Sequence, residues 1–271
     1  MSHIDENSRR IQSIHKEIWI ECPQARKKIE AILMLLQIPI RATAPCILIW
    51  GAGGSGKTTI VSQLKKVNKG LGSPFAFLSL VNNVSQLKFH DLILEALGIP
   101  LSLPHRRNVL PQDVVSYIKM QSIRVLVIDE FHESLTVSRT DQLRNLSLIK
   151  GLSGSPYHLS IVLLGTHSAK NALANDDQLA RRYQFYELKG WELNDDFRNF
   201  LATLESFVDL KKPSGLHSEE MVRLIHLHSK GTMDRVVSIV KAAATYAIKS
   251  GEERITKELI ERSALDLWGG Y

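Results

Sequence analysis

Cysteine is scarce. Cys22 and Cys46 are the only two in 271 residues, too few for a disulfide framework or a zinc cluster, and a reducing compartment is expected. Long apolar runs are missing as well. The most apolar early stretch, residues 29–40, is interrupted by Glu30, Gln37 and Pro39, whereas a membrane span needs about 20 apolar residues in a row. The first six residues, Met1 to Glu6, are polar and carry no apolar segment behind a basic start, so no signal peptide is expected. Internal repeats and low-complexity tracts are absent too. These gaps exclude secreted, collagenous, disordered and membrane-embedded classes, and they leave a cytoplasmic protein without a membrane partner as the expectation. What is present is a chain long enough for one large domain, or a large one with a small partner, and a net charge of +6.

The apolar pattern changes character along the chain. Residues 1–45 read as a helical segment, with Ile29, Ile32, Leu33, Leu35 and Leu36 near the spacing of one helix face, and Pro39 and Pro45 closing it. Residues 46–50 form a short continuous apolar run, the mark of a strand buried on both faces. Similar runs recur at 75–81, 124–128 and 159–164, separated by helical patterns near 57–67, 89–97, 111–120 and 140–152. Strands alternating with helices predict an α/β domain over residues 46–190, a parallel sheet flanked by helices. Only helical patterns follow, near 195–208, 218–229, 232–249 and 256–267, which predicts a small all-helical domain over residues 191–271. Ser218 and Thr256 are its expected N-caps, and Gly251 closes its longest helix.

The segment Gly51-Ala52-Gly53-Gly54-Ser55-Gly56-Lys57-Thr58, followed by Thr59, matches G-x-x-x-x-G-K-[ST] at every fixed position. Glycines let the backbone curl so that its N–H groups converge on phosphates, and the following helix adds its positive end. Lys57 would reach the β- and γ-phosphates of ATP, and the Thr58 hydroxyl would ligate Mg²⁺. The motif lies between a buried strand and a helix, the context that this chemistry requires. A second element, residues 125–130, is an apolar strand that ends in Asp129 and Glu130. Asp129 would hold the Mg²⁺ through its water shell, and Glu130 would accept the proton of an attacking water. Many small-molecule kinases of this class lack the second acid, so the doubled carboxylate points to ATP hydrolysis.

Weaker signals follow. The strand 159–164 runs into Gly165-Thr166, placing a hydroxyl where it could sense the γ-phosphate; a strand-end turn residue is the plainer alternative. Arg181 and Arg182 close a short helical segment from which an arginine could reach a neighbouring subunit's γ-phosphate. Arginines at helix ends also suit the helix dipole, so both roles stay open. Arg235 opens the longest helix of the small domain and could close onto the nucleotide, or simply be solvated. His132 could position the acids or pack, Trp50 reads as core, and His226 and His228 diverge on a helix, which disfavours a metal site. Between Lys57 and Arg124 there are nine basic residues and three acids, a surplus equal to the net charge of the whole chain. A phosphate-tracking surface needs such an excess. Lys88, Arg106 and Arg107 are the expected DNA contacts, and they would give affinity with little sequence specificity.

The order glycine loop, Asp-Glu, Thr, Arg and then a helical lid resembles the AAA+ ATPases. Residues 19–23 (Trp-Ile-Glu-Cys-Pro), 128–132 (Ile-Asp-Glu-Phe-His), 163–166 (Leu-Leu-Gly-Thr) and 176–183 (Asp-Asp-Gln-Leu-Ala-Arg-Arg-Tyr) are similar to the TniB/TnsC family of transposition regulators. Trp191, residues 213–216, Gly231-Thr232 and residues 250–255 extend the likeness over about residues 11–265. The resemblance implies a protein that assembles on double-stranded DNA, when ATP is bound, as a ring or filament of identical subunits. It would link a target-selecting partner of the TniQ type to a DDE-type transposase, and hydrolysis would disassemble it. It further implies Lys57 and Thr58 as Walker A, Asp129 and Glu130 as Walker B, Thr166 as sensor 1 and Arg182, ahead of Arg181, as the finger arginine. Arg235 would be a sensor-2 residue, at a position that varies in the family. A helicase-loader or origin-binding ATPase, and a nucleotide-gated scaffold that barely hydrolyses ATP, are the alternatives.

Overall fold

The computed structural model describes residues 6–81, 87–99 and 111–267. Five strands form one parallel sheet: β1 (Cys46–Trp50), β2 (Phe75–Ser79), β3 (Val125–Asp129), β4 (Ser160–Gly165) and β5 (Tyr183–Glu187), in the order β2-β3-β4-β1-β5. The reason lies in composition. Every residue of β3 and β4 is buried, and such runs can serve only as interior strands covered on both faces. The edge strand β5 alternates less cleanly and stays partly exposed. It pairs with β1 from Cys46 opposite Tyr183 to Trp50 opposite Glu187.

Seven α-helices of the described residues accompany the sheet. They are α2 (Pro23–Met34), α3 (Lys57–Gly70), α4 (Phe89–Ala96), α5 (Pro111–Met120), α6 (Arg139–Leu152), α7 (His167–Ala174) and α8 (Asp177–Ala180), and α1 (Glu6–Ile14) precedes them. Their apolar faces fill the core: Phe89, Ile93, Val114, Ile118, Leu146 and Ile149 join Leu126, Ile128, Ile161 and Leu163 of the sheet in one buried cluster. Local chemistry sets the ends. The Ser138 hydroxyl caps α6 by accepting the Asp141 N–H, and the Asp176 carboxylate caps α8 through Gln178 and Leu179.

The remainder is helical: α9 (Asp195–Phe207), α10 (Glu219–Ser229), α11 (Met233–Ser250) and α12 (Lys257–Leu265). Thr256 caps α12 by accepting the Leu259 N–H, and Gly251, at φ 76°, ends α11 in the left-handed conformation that glycine adopts freely. Ser218 stands at the N-cap of α10 without a side-chain cap bond. The chain resolves into two compact units. One comprises Gln24–Gly53 and Lys57–Leu188; the other takes the residues up to Pro23, Gly54–Gly56 and everything from Lys189. The first 45 residues are divided between the two units. α2 belongs to the α/β unit, whereas α1 joins the helical unit, where Arg10 donates to both carboxylate oxygens of Glu253 at 2.8 and 2.7 Å. The tip of the glycine turn also groups with the helical unit, and there the Asp234 N–H donates to the Gly54 carbonyl at 2.9 Å.

Candidate nucleotide site

Strand order builds the site. In a parallel sheet every strand ends on the same edge, and ligands bind in the crevice beyond those ends where the order switches direction. β1 ends in the glycine turn, β3 ends in Asp129 and Glu130, and β4, lying between them, ends at Gly165-Thr166. Three segments that are more than 30 residues apart thus become neighbours, and the Gly51 N–H donates to the Gly165 carbonyl at 3.2 Å. Position 165 must be glycine, since a Cβ there would lie 2.9 Å from the Ala169 Cβ.

Within the turn, Gly54 and Gly56 have φ of 71° and 94°, conformations that side chains disfavour. Lys57 is 4% exposed and its ammonium donates to the carbonyls of Gly51 at 3.1 Å and Ala52 at 2.8 Å. Burial pushes its pKa down, against the pull of Glu130 and Asp129. Asp129 is 3% exposed, and burial pushes its pKa up, opposed first by the Thr58 hydroxyl and then by the Glu130 N–H, which it accepts at 3.0 Å. Both groups are thus driven toward their neutral forms by desolvation. The Ser55 hydroxyl is buried and has no hydrogen-bond partner among the described residues. A buried cation and an orphaned hydroxyl on the glycine loop, with a buried carboxylate at the end of β3, fit a polyanion accompanied by a divalent cation. Thr58 and Asp129 could hold Mg²⁺ only together with phosphate oxygens, because no group of three His, Cys, Asp or Glu among the described residues could hold a metal alone.

Glu130 has a left-handed backbone, φ 55° and ψ 40°, a costly geometry for a non-glycine residue that recurs at active sites. It turns the half-buried carboxylate toward His132, whose Nδ1 lies 3.2 Å from Glu130 Oε2 and whose Nε2 lies 3.5 Å from Glu133 Oε1. The sequence leaves His132 undecided between positioning and packing; its ring lies within 3.5 Å of two carboxylates, while its buried Nδ1 makes no hydrogen bond among the described residues. Thr166, half-buried, shares a hydrogen bond of 2.9 Å with Ser168. Trp50 is not simply core: it is half-buried, with the Lys170 ammonium 4.1 Å above its ring and the His167 ring 5.1 Å away.

The arginines divide. Arg182 Nη1 donates to the Lys150 carbonyl at 2.7 Å and to the Ser153 hydroxyl at 2.9 Å, so its guanidinium ties α6 to the end of α8. Arg181 is the exposed one. Arg235 donates to the carbonyls of His228 and Ala264, both at 3.1 Å, and thereby closes the ends of α10 and α12. Lys88 stands at the N-cap of α4, and Arg106 and Arg107 lie outside the described residues. No helix among the described residues is long and apolar enough to cross a membrane.

A parallel sheet of order 2-3-4-1-5 with the glycine turn after β1, an Asp-Glu pair after β3 and a helical unit later in the chain is the fold of the AAA+ ATPases. Solved structures agree. The chain is similar to Cdc6p from Pyrobaculum aerophilum (TM-score 0.66, 15% identity, 96% of this chain and 72% of that one). It is also similar to the Aeropyrum pernix ORC1 protein in complex with DNA (0.64, 14%, 96% and 69%). Drosophila ORC bound to DNA matches at 0.62 with 17% identity, and there this chain covers 96% of its own length but 65% of that chain. No curated protein sequence matches. The sequence model of the family described as Bacterial TniB protein matches residues 10–193, well over half of the chain. The chain belongs to the TniB family.

Proposed function

We propose that this protein is an ATPase that assembles on double-stranded DNA when ATP is bound and regulates transposition, linking a TniQ-type target-selection partner to a DDE-type transposase. One observation carries the enzymatic part: the buried, charge-frustrated pair of Lys57 and Asp129 faces the same sheet edge as Glu130. Lys57 would bind the β- and γ-phosphates, and the N–H groups of residues 51–56 would cradle them. Thr58 and Asp129 would hold Mg²⁺, which neutralises charge on the phosphates. Glu130 would orient water and accept its proton, with His132 fixing the carboxylate. Thr166 would stand beside that water. Arg181, exposed while Arg182 is tied to α6, is the better-placed residue to act on a neighbouring subunit's nucleotide. Arg235 would need to leave its two carbonyls before it could touch a ligand.

The DNA part draws support from family membership, from the basic excess and from the DNA complexes among the structural relatives. Those relatives also favour the second reading, an origin-binding or helicase-loading ATPase. Electron microscopy with a duplex oligonucleotide should show rings or filaments with a non-hydrolysable ATP analogue and none with ADP. A pull-down should retrieve transposase; retrieval of a replicative helicase would favour the second reading. A nucleotide-gated scaffold would keep its disassembly rate when Glu130 is replaced by Gln, whereas the ATPase would lose it.

A further inference from the structure

The rim at the starting ends of β2 and β3 lies opposite the phosphate edge and takes no part in nucleotide binding. It belongs to a stretch of unusual charge: from Lys57 to His90 the chain has five lysines and no Asp or Glu. Two of those lysines, Lys66 and Lys69, are exposed on the last turns of α3. The neighbouring Asn68 fixes that helix end to the strand, its side chain donating to the Phe75 carbonyl at 3.1 Å and accepting the Phe75 N–H at 3.0 Å. The Arg124 N–H donates to the Pro74 carbonyl at 2.8 Å, which brings the entrance of β3 alongside. Lys119, exposed at the end of α5, lies one tight turn before that entrance, its carbonyl accepting the Ser122 N–H at 3.0 Å.

The two entrances repeat one device: a helix with a lysine in its last turn, then a serine with positive φ, Ser73 at 62° and Ser122 at 55°. Both serines are exposed, so the rim presents hydroxyl donors as well as ammonium groups. None of Lys66, Lys69 and Lys119 forms an ion pair among the described residues. Exposed lysines held on rigid helix ends and left without carboxylates keep their field for an external anion.

We infer that this rim is a phosphate-backbone contact face for duplex nucleic acid, formed by Lys66, Lys69 and Lys119 with Ser73 and Ser122. The inference rests on the DNA-bound reading above and assigns it residues other than Lys88, Arg106 and Arg107. Lysine and serine are the side chains that meet phosphate oxygens without reading bases. The exposed apolar residues at the rim, Val67, Leu71 and Met120, include no aromatic anchor, which disfavours a lipid surface as occupant.

The test uses the full chain with a non-hydrolysable ATP analogue and a fluorescent duplex oligonucleotide, titrated at several salt concentrations. Replacing Lys66, Lys69 and Lys119 together by Gln should weaken binding roughly tenfold or more at physiological salt and lower the slope of log K against log salt by about 2.7, near 0.9 for each phosphate that is no longer neutralised. ATP affinity should stay unchanged. Should the triple variant fold poorly, K119Q alone and K66Q/K69Q should each remove their share of the slope. An unchanged slope in variants that still bind ATP overturns the inference while leaving duplex binding intact. Failure of the unmodified protein to bind duplex at all overturns the DNA-bound reading itself. Loss of binding to phosphatidylglycerol vesicles or polyglutamate, with duplex affinity preserved, would assign the face to another anion and also overturn the inference.

Discussion

The α/β unit and the helical unit each bury charge, and they do so in opposite ways. In the helical unit Arg10 and Glu253 close on each other through two hydrogen bonds, and Arg10 also donates to the Asp209 carbonyl. The pair is satisfied, and the guanidinium draws the Glu253 carboxyl down to about 2. In the α/β unit Lys57 leans on backbone carbonyls, and Asp129 is destabilised by its burial. Charge serves the fold in one place, and in the other it is held ready for something absent from the chain. Buried charge left without full compensation is costly, and such groups concentrate at functional sites.

The largest expected effect tests the unsatisfied side. Replacing Glu130 by Gln should slow phosphate release by about 10²- to 10⁴-fold, the range of a general base, while ATP binding changes little. Equal loss of binding would make Glu130 a structural acid. Replacing Lys57 by Ala should lower ATP affinity on the order of 100-fold in calorimetry without lowering the melting temperature of the nucleotide-free protein, because a desolvated cation is removed. Replacing Arg10 by Ala should do the reverse. It should destabilise the chain by about 3 kcal/mol in denaturant unfolding, since Glu253 loses its bidentate partner and keeps only Lys211, and leave ATP affinity alone.

Acid should separate the two regions again. The Glu253 carboxyl is held below its ordinary 4.5, so its contribution is complete above that value and is lost as pH falls toward about 2. The Asp129 carboxyl is held above its ordinary 3.8, so its ionised form costs stability at neutral pH, and protonation through the raised value relieves that cost. The Arg10→Ala variant should therefore show a flatter loss of stability between about pH 5 and 2 than the unmodified chain, and Asp129→Asn should melt higher at neutral pH without nucleotide. The smallest effect concerns His132. Its replacement by Ala should lower kcat about tenfold with KM unchanged, a split that simple loss of packing would not produce.

The α/β unit is far more legible in the sequence than the contacts of its arginines. Continuous apolar runs announce β1, β3 and β4 because a strand buried on both faces allows nothing else, and the glycine turn and acid pair stand at the ends of those runs. The helical unit is readable element by element, with Thr256 and Gly251 marking ends as caps do. What escapes depends on partners distant in sequence. The guanidinium of Arg182 is fixed by Lys150 and Ser153, about 30 residues earlier, so a local pattern cannot tell it from Arg181. α1 reads as part of an N-terminal segment because its partner, Glu253, lies 243 residues away. The left-handed backbone of Glu130 has no signature in its residue type, and neither has the approach of its carboxylate to His132.

Calorimetry on the nucleotide-free protein tests the phosphate grip of Lys57 and Asp129 at first hand. Titration with ATP and Mg²⁺ together should give saturable heat, Mg²⁺ alone should give none, and Lys57→Ala should nearly abolish the signal. Mg²⁺ binding tightly without nucleotide, or ATP binding undiminished in Lys57→Ala, would contradict it.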